Sequence, residues 1–285
     1  FQKILQNLNI KINNFSLSST GLNILKDFLS CLQIYKIIND SKPDIIISYT
    51  IKPVIYTGLI LIFLKKIIYY PMITGLGYAF IDRHSIKHKI LKYITVNLYK
   101  LGLKNSEKVI FQNEDDRSLF IKLKIIKNKS LTYIVNGSGV DLNAYPFSKL
   151  PPEPIFLMIS RLLVDKGVRE YFQAAKIVKS YYPNAQFKLV GYFDKNPACI
   201  SNDELKSWIK DGSIQYLGEI ESVQAILKSS RFFVLPSYRE GTPRSILEAL
   251  SSGRPVITTD VAGCRETVVH EKNGLLVPVK DQVAL

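Results

Sequence analysis

Two glutamates, Glu240 and Glu248, stand eight positions apart around a predicted helix start. The apolar run over 232–235 precedes them and predicts a buried strand. The helix itself is predicted over 243–252, with Thr242 as its N-cap. Sugar and ribose hydroxyls need hydrogen-bond acceptors, and a loop carboxylate beside a helix carboxylate supplies them. The plain alternative is a capped surface helix that carries two solvated glutamates.

The same predicted helix start offers hydrogen-bond donors. Pro243 suits the first helical position, and the backbone N–H groups of Arg244 and Ser245 have no partner within the helix. Such donors, together with the helix dipole, favour an anion such as a phosphate. Arg161 and Lys166 follow another predicted strand and precede a helix, so they can neutralise a diphosphate. Two ordinary surface cations are the alternative for this pair.

These groups are expected to meet, because ligands of parallel α/β sheets collect at the carboxyl ends of the strands. Two cations, two carboxylates and a helix N-terminus at one sheet edge favour a nucleotide-sugar site. Gly191 is included because a glycine lets a ligand approach the backbone. The predicted donor-binding residues all lie at strand ends or on the helix, and they are Ser160, Gly191, Leu217, Gly218, Arg244, Ser245 and Glu248.

Strands and helices alternate through both halves of the chain. In the first half, strands are predicted at 45–47, 67–73, 109–111 and 133–135, and helices at 20–39, 53–66, 86–103 and 114–123. In the second half, strands are predicted at 155–160, 186–191, 214–217, 232–235, 255–258 and 275–278, and helices at 167–182, 202–211, 222–229 and 243–252.

This alternation predicts an α/β protein whose parallel sheets are covered by helices on both faces. We expect two Rossmann-like domains, residues 1–145 and 146–285, that face each other across a cleft. The chain begins at Phe1 and ends soon after its last predicted strand. It is therefore expected to be incomplete at both termini, with a first strand and a closing helix missing.

The charge of the chain is unevenly distributed. The net charge is +14, and residues 1–150 hold 21 Lys/Arg and 9 Asp/Glu, which leaves +12 in that part and +2 in the rest. A basic half predicts a polyanionic partner, whether nucleic acid, an anionic membrane surface or a diphosphate substrate, although abundant lysine alone is an alternative.

The apolar run at 54–64 has eleven residues, short of the roughly 20 that span a bilayer. A buried helix is expected there, with an interfacial helix as the alternative. Three scattered cysteines among 285 residues predict neither a disulfide framework nor a zinc site, and a reducing cytosol is expected.

Metal and dinucleotide sites are weakly supported. The chain has no Asp-x-Asp pair that could hold a divalent ion on a phosphate. His84 and His88 could share a helix face, but His270 lies far along the chain and no third ligand is near. The glycine pairs at 75–77 and 137–139 each lack the third glycine of the dinucleotide fingerprint. We therefore expect no metal and no other cofactor.

Arg161 with Lys166-Gly167, and Glu240-Gly241 with Glu248, resemble the retaining GT-B glycosyltransferases of family 4. The resemblance covers most of the chain and is strongest over 155–278. The loops at 74–78, 136–141 and 194–199 are similar to the branch that builds capsule, O-antigen or glycoprotein glycans on undecaprenyl diphosphate. That branch includes bacterial N-acetylgalactosaminyl- and galactosyltransferases.

The resemblance implies a retaining transfer of a sugar, a hexosamine such as N-acetylgalactosamine or else galactose. The donor would be a UDP-sugar and the acceptor a saccharide on undecaprenyl diphosphate. Arg161 and Lys166 would hold the donor diphosphate and stabilise the leaving nucleotide, Glu240 would accept donor hydroxyls, and these three form the expected catalytic set. Glu248 would bind the ribose. The expected acceptor-binding residues are Lys52, Thr74, Gly75, Leu76 and Gly77.

The same resemblance implies a cytoplasmic protein that contacts the anionic inner face of the cytoplasmic membrane and binds no nucleic acid. One departure concerns the first domain, where many members of the family carry a histidine near the reacting sugar. Residues 48–52 occupy that region without a histidine, and Lys52 is the substitute or else a plain surface lysine. The alternatives for the whole chain are a non-catalytic sugar-nucleotide scaffold and a sugar-nucleotide 2-epimerase on the same fold.

Overall fold

The computed structural model describes residues 2–17, 23–64, 66–81 and 85–285. Within these residues, two all-parallel sheets confirm the α/β prediction. The first sheet consists of β1 (Ile45–Tyr49), β2 (Ile68–Ile73), β3 (Val109–Phe111) and β4 (Thr132–Ile134), side by side in that order. The helices that accompany it are α1 (Gln2–Asn7), α2 (Ile24–Ser41), α3 (Ile51–Ile60), α4 (Ile86–Gly102) and α5 (Glu114–Lys122). The predicted start of α2 at residue 20 lies outside the described residues.

Helix α3 is the apolar segment that was expected to be buried, and the structure confirms this. Val54 and Ile55 are 0% and 3% exposed, and they lie in the core of the first domain. A Cβ atom on Gly58 would lie 1.7 Å from the carbonyl oxygen of Gly102, so α3 and α4 pack backbone against backbone. The helix ends at Ile60 rather than at 66, and residues 61–64 form a turn instead.

The second sheet has six strands. They are β5 (Ile155–Ile159), β6 (Gln186–Val190), β7 (Gln215–Tyr216), β8 (Phe232–Leu235), β9 (Val256–Thr259) and β10 (Gly274–Val277). Its helices are α6 (Val168–Tyr181), α7 (Asn202–Asp211), α8 (Gln224–Lys228) and α9 (Arg244–Ser251). The order across the sheet is β10-β9-β8-β5-β6-β7. The chain therefore reverses its direction across the sheet at β5, and the carboxyl ends of β5 and β8 border the crevice where α/β sheets bind ligands.

Each sheet is fixed by its own apolar core. In the second sheet the Phe156 ring stacks on Phe187 and Phe232 of the flanking strands, with ring centroids 4.7 and 4.9 Å away. In the first domain Phe120 of α5 packs edge-on against Phe111 of β3, at 5.2 Å. These contacts hold the strands in register, so the loops at their carboxyl ends start from fixed positions.

The predicted boundary at 145/146 falls between β4 and β5, and its placement stays a prediction.

Among the described residues, no helix combines the length and the apolarity needed to cross a bilayer.

Candidate active site

Lys166 and Glu240 meet at the carboxyl edge of the second sheet. Lys166 follows β5 and Glu240 follows β8, and these two strands are neighbours. The Lys166 Nζ donates a short hydrogen bond to the Glu240 Oε1, and the two side chains are only 17% and 13% exposed. A cation and a carboxylate 74 positions apart are thus paired at the crevice, as expected for two members of the predicted site.

The backbone around this pair is tightly joined. The N–H of Tyr238 and the hydroxyl of Ser237 both donate to the carbonyl of Asp165, at 2.8 and 3.1 Å. Gly167 has a φ of +74°, and a Cβ atom there would lie 2.1 Å from the Pro236 carbonyl oxygen. Only glycine fits this conformation and this approach, so it allows the Lys166 turn to lie against the loop that carries Glu240.

A third segment, which follows β9, contacts the loop that carries Glu240. The Glu240 N–H donates to the Ala262 carbonyl at 3.0 Å, and Gly263 adopts a φ of +83° beside the Glu240 carbonyl. The Cys264 side chain is fully buried there. Burial, with the neighbouring Glu240 charge, raises the pKa of the Cys264 thiol to about 12, so it stays protonated and acts as core.

Arg161 lies at the same sheet edge but pairs with another carboxylate. Its Nη1 donates to Asp194 Oδ2 at 2.7 Å, and the Arg161 side chain is 45% exposed. This hydrogen bond lowers the pKa of Asp194 below its usual range, so the carboxylate is charged near neutrality. Asp194 is fixed in turn because its Oδ1 accepts from the Asn196 N–H at 2.9 Å. Sequence reasoning identified the loop but not this contact.

Four predicted donor residues line the neighbouring strand ends. A Cβ atom on Gly191 would lie 1.9 Å from the Ser160 carbonyl oxygen, so the close approach that requires glycine is made by Ser160 rather than by a ligand. The Gly191 N–H donates to the Gly218 carbonyl at 2.9 Å, and Leu217 donates to Leu189 on β6. The structure thus gives a second reason for glycine at 191, and its donor-binding role stays a prediction.

The predicted cap of α9 was also wrong. The helix begins at Arg244, its cap is Pro243, and the Thr242 hydroxyl instead donates to the Gln112 carbonyl of the first domain at 3.2 Å. The helix starts one residue later than expected because Pro243 has an extended backbone, with a ψ of 111°. Ser245, the second residue of the helix, is partly exposed.

Glu248 is held by two partners on its own side of the site. The Arg244 Nε donates to Glu248 Oε1 at 2.9 Å, one turn along α9. Tyr145 adjoins this carboxylate, and its pKa is raised mainly by burial and further by the Glu248 charge. Glu248 is 8% exposed in total. Tyr145 was missed from the sequence because nothing local marks it.

The predicted acceptor loop of the first domain touches the donor loop. A Cβ atom on Gly241 would lie 2.1 Å from the Thr74 carbonyl oxygen, and one on Gly75 would lie 3.4 Å from the Gly241 nitrogen. Gly77, with a φ of +63°, faces the Ile51 side chain. Leu76 is 1% exposed in the first core, so only its backbone is left to contact an acceptor. The acceptor-binding role of Leu76 stays a prediction.

Lys52 lies in the first turn of α3, directly after β1. Its Nζ donates to Asp27 Oδ1 at 2.8 Å. Burial raises the pKa of Tyr56, and a hydrogen bond with the same Asp27 raises it further. The lysine is therefore held at the carboxyl edge of the first sheet, and its acceptor role stays a prediction.

The first domain makes further contacts with the loop that carries Glu240. Asn113 donates to the Gly241 carbonyl at 2.8 Å, and Asp116 forms an ion pair with Arg239. Burial raises the pKa of the Asp116 carboxyl, and the Arg239 guanidinium opposes that rise. In the sequence, this region was marked only by a predicted helix over 114–123.

The two histidines within the described residues, His88 and His270, have structural partners. His84 lies outside the described residues. The buried His88 ring packs edge-on against Tyr78, with centroids 5.2 Å apart, and His270 Nδ1 accepts from the Leu276 N–H at 3.0 Å. In the described part of the chain, no three His, Cys, Asp or Glu side chains are grouped closely enough to hold a metal ion. Metal independence stays a prediction.

Two family models match the chain. Residues 153–285 match the model described as "Glycosyl transferases group 1", and residues 2–113 match "Glycosyl transferase 4-like".

Two curated proteins are similar over most of their length. The N,N'-diacetylbacillosaminyl-diphospho-undecaprenol alpha-1,3-N-acetylgalactosaminyltransferase of Campylobacter jejuni is 31% identical over 97% of this chain and 75% of its own. The UDP-Gal:alpha-D-GlcNAc-diphosphoundecaprenol alpha-1,3-galactosyltransferase of Escherichia coli is 27% identical, over 92% of this chain and 69% of its own. The structure of Anabaena HepE in complex with UDP and glucose superposes with a TM-score of 0.72 at 19% identity, over 99% of this chain and 76% of that one. This last likeness concerns the fold.

Proposed function

The chain belongs to the family 4 glycosyltransferases of the GT-B fold, and from this premise we propose that it transfers a sugar from a UDP-sugar to a saccharide on undecaprenyl diphosphate. The sugar is a hexosamine such as N-acetylgalactosamine, or galactose, and its anomeric configuration is retained. The two similar transferases act, by their names, on diphospho-undecaprenol acceptors, which supports this substrate class.

The observation that carries the proposal is the Lys166–Glu240 pair in the crevice between β5 and β8. A UDP-sugar offers a diphosphate to the ammonium and sugar hydroxyls to the carboxylate, so it satisfies both members of the pair at once. Negative charge grows on the diphosphate as the sugar–phosphate bond breaks. A fixed cation beside that diphosphate therefore stabilises the transition state more than the ground state.

Retention follows from attack on the face that the nucleotide leaves. The acceptor oxygen forms a bond to the anomeric carbon while the bond to the phosphate oxygen breaks. The acceptor proton passes to that leaving phosphate oxygen, and UDP departs. No side chain needs to act as a nucleophile. Arg161 neutralises the diphosphate beside Lys166, and Glu248, one turn along α9, accepts hydrogen bonds from the ribose hydroxyls.

We also propose that the reaction needs no metal, since Lys166 and Arg161 supply the charge that neutralises the diphosphate. Full transfer activity in excess chelator is the expected result. A rate that falls with chelator and returns with a divalent cation would refute this part of the proposal.

Contact with the anionic inner face of the cytoplasmic membrane is proposed for α4. Ile86, Ile90 and Tyr93 follow one another at helical spacing and are 75%, 54% and 72% exposed. Lys87 and Lys89 are exposed beside them. An apolar stripe flanked by lysines suits an interface of anionic headgroups and acyl chains. Tyr93→Asp should reduce sedimentation with anionic vesicles, and unchanged sedimentation would rule out this face.

The main test removes one member of the pair. Lys166→Ala and Glu240→Gln should lower transfer by about 100-fold or more, the scale on which removal of one transition-state donor acts. Lys176→Ala is the matched control, because Lys176 also pairs with a carboxylate, Asp211 at 3.0 Å, but on the exposed surface of the same domain. Wild-type rates in both site variants would refute the assignment.

A calorimetric comparison of UDP, GDP and their sugars identifies the donor. Tightest binding by UDP or a UDP-hexosamine is the expected result.

A further inference from the structure

The segment from Gln112 to Asp116, at the end of β3 and the start of α5, holds the loop that carries Glu240. Asn113 Nδ2 donates to the Gly241 carbonyl at 2.8 Å, inside a buried interface. The Gln112 carbonyl accepts the Thr242 hydroxyl at 3.2 Å. Two consecutive positions of the donor loop, 241 and 242, are therefore held by hydrogen bonds from the other domain.

The Asn113 amide is itself fixed. It is 1% exposed, and its Oδ1 accepts the Asp116 N–H at 2.8 Å as the cap of α5. This bond sets the orientation of the side chain, so Nδ2 has to face the Gly241 carbonyl. A buried amide that loses such a partner leaves polar groups unsatisfied, which makes the contact costly to break.

Asp116 fixes the residue on the other side of Glu240. Its carboxylate is fully buried and forms an ion pair with Arg239. Gly241 cannot move toward the first domain, since its Cβ position lies 2.1 Å from the Thr74 carbonyl and 2.7 Å from Gln112 Oε1. Glu240 thus stands between two neighbours that the first domain holds.

We propose that Asn113 and Asp116 are positioning residues that set the geometry of Glu240 toward the donor sugar. This inference rests on the proposed function and deepens it. Recognition of the sugar half of the donor depends on the first domain, whereas binding of the nucleotide half depends on the second domain alone. The neighbouring pair Arg265–Asp115 also crosses the interface, at 3.1 Å, but both side chains are about 40% exposed and neither adjoins Glu240.

Two substitutions remove the Nδ2 donor of Asn113, which serves the Gly241 carbonyl at 2.8 Å and also lies 3.3 Å from Asp116 Oδ2. Asn113→Asp keeps the Oδ1 that caps α5 and replaces the Nδ2 donor with an oxygen that faces the Gly241 carbonyl. Asn113→Ser keeps a good cap without adding charge and is too short to reach Gly241. Each should lower kcat for transfer by about 10- to 100-fold, the cost of a misplacement near 1 Å. The dissociation constant of UDP should stay within about twofold of wild type, while the gain in affinity from UDP to UDP-sugar shrinks.

Matched controls separate positioning from loss of the interface or of the cap. Asp115→Asn removes the exposed cross-domain pair, and Asn128→Asp makes the same amide-to-acid change at another first-domain cap, where Asn128 Oδ1 accepts the Ser130 N–H at 3.0 Å. Both controls should transfer at wild-type rates, and melting temperatures should show that every variant is folded.

The outcomes distinguish the two proposals. Wild-type kcat in both Asn113 variants overturns the positioning role, and so does a parallel loss of UDP binding, which indicates a structural role only. A wild-type protein that binds no UDP overturns the proposed function and this inference with it. UDP binding retained in the Asn113 variants with kcat reduced supports both.

Discussion

Gly167→Ala tests how closely the Lys166 turn must lie against the Glu240 loop. Gly167 has a φ of +74°, where an L-residue costs about 1–2 kcal/mol. The new Cβ would lie 2.1 Å from the Pro236 carbonyl oxygen, and real Cβ contacts stay beyond 3.0 Å. The two segments must therefore separate by about 1 Å, and overpacking of this kind costs about 1–3 kcal/mol. The free energy of unfolding should fall by about 2–5 kcal/mol.

The rate of transfer should fall as well as the stability. The separation opens between the turn that carries Lys166 and the loop that carries Glu240, and a shift of 1 Å at reacting groups costs about 100-fold in rate. Gly212→Ala is the matched control. Gly212 has a φ of +77° at the end of α7, and its Cβ position meets no atom of the described residues within 4 Å. Only the conformational cost of about 1–2 kcal/mol applies there.

Urea unfolding and steady-state transfer on the two variants complete the test. Gly167→Ala should lose more stability than Gly212→Ala and about 100-fold in kcat, whereas Gly212→Ala should keep wild-type kcat. Equal losses of stability, together with wild-type kcat in Gly167→Ala, would refute the argument from close approach.

Three further predictions follow from charges and burial. Asp194→Asn removes a negative charge beside the proposed diphosphate, so UDP should bind several-fold more tightly at low ionic strength, and this gain in affinity should decrease as salt is added. Titration calorimetry measures both effects. Weaker binding of UDP would instead mean that Asp194 positions Arg161. Burial raises the pKa of Glu266 in the folded protein above its unfolded value of about 4.3. The free energy of unfolding of the wild type therefore falls as the pH rises from the unfolded pKa through the folded pKa. The melting temperature of Glu266→Gln should exceed that of the wild type by an amount that grows over this pH range. Burial raises the pKa of the Cys264 thiol to about 12, so an alkylating reagent at pH 8 should modify the partly exposed Cys199 before Cys264. Rapid labelling of Cys264 in the folded protein would contradict its place in the core.

Much of the fold could be predicted because local signals coincide with element ends. Helix α7 was expected at 202–211 and is found there, with Ser201 capping its start and Gly212 at +77° ending it. Strand β8 was expected at 232–235 from its continuous apolar run and is found there. By contrast, Thr242 has the residue type of a cap, but its hydroxyl is used across the domain interface, which no local pattern reports.

The sequence could predict which strand ends form the candidate site, but not all the contacts within it. Parallel strands place their carboxyl ends at one edge, so Lys166 and Glu240 were expected to be close, and they are. Which strands are neighbours could not be derived from periodicity, and the pairing of Arg161 with Asp194 depends on β6 lying beside β5. Asn113 is 128 positions from its partner Gly241. Hydrophobic periodicity and capping signals report only on nearby residues, so they could not predict this contact.

Lys166 is paired with Glu240, so the number of lysines and arginines at the site does not by itself indicate which anionic ligand binds there. Under the proposed function, a free phosphate that drew Lys166 away would leave Glu240 nearly buried without its cation, and an uncompensated buried charge costs several kcal/mol. A UDP-sugar brings hydroxyls to that carboxylate in the same step, which offsets this cost. The excess of +12 in residues 1–150 acts differently, as a long-range attraction for anionic partners that weakens with salt. Under the proposed function, selectivity for the donor therefore comes from the Lys166–Glu240 pair in the second domain, and the surplus positive charge belongs to the domain expected to meet the lipid-linked acceptor.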